Sequence, residues 1–142
     1  MRPGFDEWAL GLAIAVSQRS RDPSTQVGAV IIRPDKTICS MGYNGFPRAM
    51  EDKAEWWENR EEKYPRVIHA EMNALLNSKE PVTNMSLYIT HPPCPDCAKH
   101  VAAAGITRLV HSTSDDIRAR FNITKSLQIL ADCGVEVIEI ET

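Results

Sequence analysis

The chain reads as an α/β fold, a mixed central sheet covered by helices. Three observations predict it. Two apolar, β-branched runs separated only by Pro34-Asp35-Lys36 form a hairpin signal near the N-terminus. Beyond residue 69, short strand patterns alternate with helical ones, as parallel crossovers require. The 142 residues fit one core, and no composition shift marks a boundary, so a single domain is expected over residues 1–142.

The elements follow in order. Phe5 to Gln18 places Trp8, Leu12, Ala15 and Val16 on one stripe, predicting an amphipathic helix with that stripe inward. Val27 to Arg33 and Ile38 to Tyr43 are the hairpin strands, and Asn44-Gly45-Phe46-Pro47 is a loop. Met50 to Pro65, charged and carrying Trp56 and Trp57, reads as a surface excursion or short helix. His69 to Ser78 is rich in helix formers, and Leu87 to Thr90 is a short strand. Pro95 suits the first turn of a helix running to Ala104, which Gly105 caps. Leu109 to His111 continues a strand pattern, Phe121 to Ala131 is helical with Gly134 as its cap, and Val135 to Ile140 is the fifth strand.

Composition narrows the function. The formal net charge of −3 lacks the basic excess of a nucleic-acid binder, and a small-molecule substrate is favoured. No apolar run is long enough to span a bilayer, and the early acids Asp6 and Glu7 argue against a signal peptide. Neither a nucleic-acid nor a membrane partner is expected. Of four cysteines, Cys94 and Cys97 stand as Cys-x-x-Cys, while Cys39 and Cys133 lie in apolar segments where burial is expected. This usage points to a reducing compartment, the cytoplasm, or the host cytoplasm for a viral protein.

The chemistry concentrates in His69-Ala70-Glu71 and Pro93-Cys94-Pro95-Asp96-Cys97. His69, Cys94 and Cys97 are three metal ligands of the types zinc prefers, and a hydrolytic zinc site keeps its fourth position for water. Cys94 and Cys97 open a predicted helix, where unsatisfied amides favour thiolate. Glu71 is not needed as a ligand and is placed to carry protons as the catalytic base and acid. The pattern H-x-E…P-C-x-x-C is identified as the signature of zinc deaminases acting on cytosine or adenine. One alternative is a closed structural site, with His91, His100 or a remaining cysteine as fourth ligand, in a non-enzymatic zinc-stabilised interaction module. A redox Cys-x-x-Cys leaves His69 and Glu71 unexplained. A polynucleotide deaminase, acting on tRNA or single strands, needs a basic surface that this composition hardly offers.

Further stretches narrow the choice. Arg19 to Val30 reads RSRDPSTQVGAV, Gly42 to Pro47 reads GYNGFP, and Lys63-Tyr64-Pro65 precedes His69-Ala70-Glu71-Met72-Asn73-Ala74. With Tyr88 and Pro93 to Lys99, these make the chain resemble deoxycytidylate (dCMP) deaminases of the phage, viral and eukaryotic kind. The resemblance implies a cytidine-deaminase-like three-layer fold around a five-stranded mixed sheet. It implies zinc-dependent conversion of dCMP to dUMP, feeding dTMP synthesis, in a homo-oligomer, commonly a hexamer. It also implies activation by dCTP and inhibition by dTTP with Mg2+, through an effector site at Gly42, Tyr43, Asn44 and Gly45. Asn44 is expected on the substrate sugar, and Ala70 and Pro93 beside the substrate. Val27 is expected under the base or in the core, and Tyr64 either at the base or stapling its loop. Trp56 and Trp57 are expected in surface aromatic packing rather than over the site, and His100 and His111 at the surface or satisfied in the core. Arg21, Arg48, Arg118 and Arg120 are candidates for the phosphate. Two departures stand out. No second Cys/His cluster is present, which predicts one zinc per subunit. His111 to Asp116 lacks the tyrosine that relatives place near the pyrimidine. C5-methylated dCMP, or dCTP, is therefore expected to be admitted, with 5-methyl-dCMP used within about tenfold of dCMP unless Phe121 or Tyr64 fills the space.

Overall fold

The computed structural model describes residues 1–142 and joins five strands in one sheet. They are β1 (Gly28–Ile32), β2 (Ile38–Tyr43), β3 (Ser86–Ile89), β4 (Arg108–Thr113) and β5 (Glu136–Glu141), in spatial order β2-β1-β3-β4-β5. β1 runs antiparallel to both β2 and β3, whereas β3–β4 and β4–β5 are parallel, so the sheet is mixed as expected. The hairpin turns at Lys36, whose φ of 75° is left-handed. Asp35 ties that turn by accepting from the Thr37 amide at 3.1 Å. Ile31 pairs with Ser40 but Ile32 with Ile38, leaving Cys39 as a bulge.

One face of the sheet carries the helix α1 (Phe5–Ser17), and its buried side differs from the predicted stripe. Ala9, Leu10, Ala13 and Ser17 are buried, Leu12 and Val16 are half-buried, and Trp8 and Ala15 are exposed. The reason lies in β1. A Cβ on Gly28 would stand 2.1 Å from the Ala13 carbonyl oxygen and 2.5 Å from the Ser17 nitrogen, so helix and strand backbones nearly touch. Only small side chains fit that seam, and the bulky residues are displaced to its flanks. The helix start is tied to the sheet by Arg108, which donates to both Asp6 carboxylate oxygens at 2.9 and 2.6 Å and to Glu136 at 2.9 Å. The Tyr88 hydroxyl completes this group on Asp6 at 2.6 Å.

The other face carries α4 (Ala70–Asn77), α5 (Pro95–Ala103) and α7 (Thr124–Asp132), whose Ala74, Ala98, Val101 and Leu130 pack on Ile31, Leu87, Ile89 and Leu109. The result is the expected three layers. Gly105 and Gly134 leave α5 and α7 with φ of +99° and +76°, the conformations their caps require. α7 begins at Thr124 rather than Phe121, because a further helix absent from the sequence reading, α6 (Asp115–Arg120), precedes it. Ser114 starts α6 by accepting from the Ile117 amide at 3.2 Å. The charged excursion resolves into α2 (Ala54–Glu58) and α3 (Arg60–Arg66). Cys39 is half-buried and Cys133 exposed at the end of α7, against the expectation of burial for both. No helix is long and apolar enough to cross a membrane.

The contact of α4 with β2 sets the position of the site. Ser40 donates to the Ala74 carbonyl at 2.8 Å, and Gly42 packs directly on the helix backbone. Asn73 and Asn77, one turn apart, donate to the Tyr43 and Met41 carbonyls at 2.8 Å each. Those amides satisfy carbonyls on an edge strand that would otherwise invite another chain.

Candidate active site

The N-termini of α4 and α5 meet, each preceded by a ligand-bearing residue. His69 is the cap residue of α4 and Cys94 that of α5, both extended, with Pro95 in the first turn. Both therefore project from helix starts, and Cys97 follows one turn into α5. His69 Nδ1 lies 3.1 Å from Cys97 Sγ and 3.6 Å from Cys94 Sγ. The three donor atoms fall within 4.8 Å of one another. Donors around a tetrahedral zinc lie roughly 3.5–3.8 Å apart, given bonds of about 2.0–2.3 Å. The trio thus fits a single zinc ion. No other histidine, cysteine or carboxylate joins the group. His91 is instead 3.0 Å from Thr90 Oγ1, and exposed His100 donates from Nδ1 to the Asp96 carbonyl at 2.6 Å. A closed four-ligand site is therefore not built, and His111, fully buried in β4, is outside the group. Its Nδ1 lies 2.9 Å from the Ser112 carbonyl, but its Nε2 has no hydrogen-bond partner, against the expectation of a satisfied core residue.

The protonation pattern suits metal capture. Hydrogen bonds from Cys97 and His69 bring the Cys94 thiol down to about 4, while the Cys94 thiolate and burial push the Cys97 thiol up. The pair gives up one proton readily and the second only to a cation that replaces it. Hydrogen bonding to Cys94 raises His69. Glu71, only 3% exposed, is pushed up to about 7 by burial. A carboxyl balanced near neutral pH takes and returns protons with little driving-force penalty.

A cleft of about 830 Å³ opens over these residues. Val27, Asn44, Tyr64, Ala70 and Pro93 all line it beside His69, Glu71 and Cys94, so the predicted substrate residues converge. Val27 packs on the core and also lines the cleft. Tyr64 sits at the rim, exposed, with Arg60 Nε donating to its hydroxyl at 2.9 Å. Buried Asn44 donates to Asp22 at 3.1 Å and to the Thr25 carbonyl at 2.9 Å, and its Oδ1 accepts from the Val27 amide at 2.8 Å. Both its donors are therefore spent on the loop, and one acceptor lone pair remains for a ligand. Gly42, Tyr43 and Gly45 do not line the cleft. The bare backbone of Gly42 faces α4, and a Cβ on Gly45 would meet only the Tyr43 ring at 3.9 Å, so the turn itself does not demand glycine there.

The structure adds residues that the sequence left unassigned. Asp22 and Lys63 form an ion pair at 3.0 Å with side chains 6% and 15% exposed. Asp22 also accepts from the Ser24 amide at 2.8 Å, which folds the 22–25 loop into the rim. Trp57 is buried, not a surface residue. It stacks on Phe46 at 4.1 Å, donates to Asp52 and lines the cleft, whereas half-buried Trp56 lies under Lys53 and Arg66. Of the four arginine candidates, only Arg120 reaches the cleft, donating to Thr25 Oγ1 at 3.1 Å. Arg21 pairs with Asp52, Arg48 bonds Asn77, and Arg118 pairs with Asp115 and Glu141. Arg60 and Lys63 also line the cleft, with Asp22 and Glu58 beside them, so its lining carries both signs of charge. Asp22, two residues before the Ser24-Thr25 pair, was visible in sequence; its partner Lys63, forty-one positions away, was not.

A family model described as the cytidine and deoxycytidylate deaminase zinc-binding region matches residues 3–113. The uncharacterized deaminase in luxG 3'region of Aliivibrio fischeri is 38% identical over 139 residues, covering 94% of this chain and 93% of that one. The deoxycytidylate deaminase of Homo sapiens is 38% identical over 112 residues, covering 75% of this chain. The chain spans 63% of that enzyme's length. The crystal structure of dCMP deaminase from the cyanophage S-TIM5 in complex with dCMP and dUMP superposes with a TM-score of 0.81 at 31% identity, over 99% of both chains.

Proposed function

The chain belongs to the cytidine and deoxycytidylate deaminase family, and we propose that it hydrolyses dCMP to dUMP and ammonia. One observation carries the reading: a buried glutamate titrating near 7 stands unligated beside a three-donor zinc trio, at the bottom of a nucleotide-sized cleft. His69, Cys94 and Cys97 would hold one zinc ion per subunit. When bound, zinc supplies a water acidified from about 16 towards 7, a ready nucleophile at neutral pH.

Glu71 does the proton work. It takes the first proton of the water and delivers it to N3, which makes C4 electrophilic as the oxygen adds. It then carries the second proton to the amino group, which leaves as ammonia. Atoms and charge balance with one carboxyl, so no second acid is needed. Val27 and Ala70 provide apolar surface for the base, and Asn44 offers its free lone pair to the sugar. Pro93 shapes the turn beside the ring. Arg120 and Arg60 supply the charge for a 5′-phosphate, with Lys63 held beside them by Asp22, which favours nucleotide over nucleoside. Tyr64 stands with them at the rim.

The resemblance supports finer features of the same reading. These are a single domain over residues 1–142, a homo-oligomer such as a hexamer, and a cytoplasmic role supplying dTMP synthesis. Activation by dCTP and inhibition by dTTP with Mg2+ belong here too, at a site around Tyr43, Asn44 and Gly45, with Gly42 seating that strand on α4. The test is a panel of cytosine base, cytidine, deoxycytidine, dCMP, dCTP and a cytosine-containing oligonucleotide, scored for ammonia release. dCMP is expected to give the highest kcat/KM. A higher value with the oligonucleotide would replace this reading by the polynucleotide one, and no release from any compound by zinc-loaded protein would leave a zinc-stabilised interaction module.

A further inference from the structure

One wall of the cleft is a pair of rings from separate parts of the chain. His91, on the loop leaving β3, and Phe121, between α6 and α7, meet edge to face with centroids 5.8 Å apart and planes at 76°. Both line the cleft. His91 is oriented from behind by Thr90 Oγ1, 3.0 Å from its Nδ1, and the same oxygen accepts from the Gly28 amide at 3.1 Å. Burial, then nearby Arg120, lowers His91 below the ordinary imidazole range and keeps the ring neutral. Phe121 is held by its neighbour. The Arg120 guanidinium lies 5.4 Å over the Phe121 ring while reaching Thr25 Oγ1 at 3.1 Å, so the α6 end is latched to the opposite rim.

The chemistry of the site says which edge of a pyrimidine meets this wall. C4 must face the His69-Cys94-Cys97 trio, and N3 must face Glu71, which lies on α4. C5 is the other ring neighbour of C4, so it points away from α4 and toward the loop between β3 and α5. His91 stands on that loop three residues before Cys94, with Phe121 against it. Resting on the deaminase reading above, the geometry points to the His91–Phe121 pair as a specificity-determining wall that excludes a substituent at C5.

Phe121 thereby takes the place of the tyrosine absent between His111 and Asp116, from the far end of α6 rather than its start. This replaces the expectation that 5-methyl-dCMP is used within about tenfold of dCMP. A methyl carbon needs about 3.5–4.0 Å to its nearest carbons, and a pair of rings held together by a latch yields less than an open wall. Pockets that resist one extra carbon discriminate by about 10–200-fold.

The experiment compares kcat/KM for dCMP and 5-methyl-dCMP in the zinc-loaded parent, Phe121→Ala and Phe121→Leu. It also compares equilibrium binding of the two products, dUMP and dTMP, to each protein. The parent should prefer dCMP by at least about tenfold and bind dUMP more tightly than dTMP. Phe121→Ala should narrow both ratios at least about fivefold, and Phe121→Leu should narrow them less. A parent preference below tenfold, or ratios unmoved in the variants, overturns the wall while leaving dCMP deamination standing. Failure of the parent to release ammonia from dCMP overturns the substrate reading instead, and the dUMP/dTMP binding ratio then judges the wall without turnover. If Phe121→Ala does not fold, Phe121→Leu gives the same decision.

Discussion

Gly42→Ala separates two reasons for a glycine in the Gly42–Gly45 segment. The resemblance gives it a nucleotide to approach, whereas the structure gives it a helix. A methyl group on Gly42 would lie 2.4 Å from the Ala74 nitrogen and 2.7 Å from both the Ala70 oxygen and the Asn73 carbonyl carbon, all of them backbone. Ordinary contact begins near 3.4 Å, so α4 and β2 must separate by about 1 Å. No flexible side chain can absorb that shift. The Ser40–Ala74 and Asn73–Tyr43 bonds, both 2.8 Å, would stretch with it. Overpacking of this kind costs about 1–3 kcal/mol. Because Ala70 and Glu71 form the first turn of α4, the proton carrier moves as well, and a misplacement of about 1 Å can cost ~10²-fold in rate. The assay is urea unfolding with steady-state ammonia release on the zinc-loaded protein. Gly45→Ala is the control, since its Cβ would make only an ordinary contact with the Tyr43 ring at 3.9 Å, and its stability should stay within about 0.5 kcal/mol of the parent. A Gly42→Ala protein that keeps its stability within about 0.5 kcal/mol and its kcat/KM within about twofold would refute the packing argument. Loss of dCTP or dTTP response in a stable Gly45→Ala protein would place the effector at that turn.

Glu71→Gln should retain one zinc per subunit by elemental analysis while turnover falls by about 10²-fold or more, and a rate within tenfold of the parent would remove its proton role. Cys94→Ala should drop zinc occupancy well below one per subunit and abolish turnover, and two zincs in the parent would contradict the single-site reading. Asp6 is held down to about 2 chiefly by the Arg108 hydrogen bond, from an ordinary 3.8. Its folded pKa is depressed, so its contribution is complete above about pH 5 and is lost as pH falls through 3.8 towards 2. With the side chain 26% exposed, that contribution is about 1 kcal/mol after solvent screening. Urea unfolding between pH 5 and 2 should therefore show the parent losing stability more steeply than Asp6→Asn, and parallel curves would count against the tie between α1 and β4.

What the sequence determined by itself was local. The two halves of the metal site were legible because each rests on a short spacing, although His69 meets Cys94 and Cys97 across 25 and 28 positions. Glu71 sits two positions after a helix-capping histidine, and Cys97 lies one turn after a capping cysteine. The hairpin, the order of the five strands along the chain and the two glycine caps were legible for the same reason, since turn chemistry and side-chain period act over a few residues. Tertiary structure decided what depends on how closely distant backbones approach. Gly28 selected the small face of α1 over its bulky stripe, and Gly42 fixed the seat of α4. The Asp22–Lys63 pair, the burial of Trp57 under Phe46 and the meeting of His91 with Phe121 each join positions far apart in the chain. No periodicity encodes such partners. Their pairing is set by packing against a sheet whose strand order, β2-β1-β3-β4-β5, differs from the order of the sequence, so the cleft's chemistry could be read from the chain while the shape of its walls came from the fold.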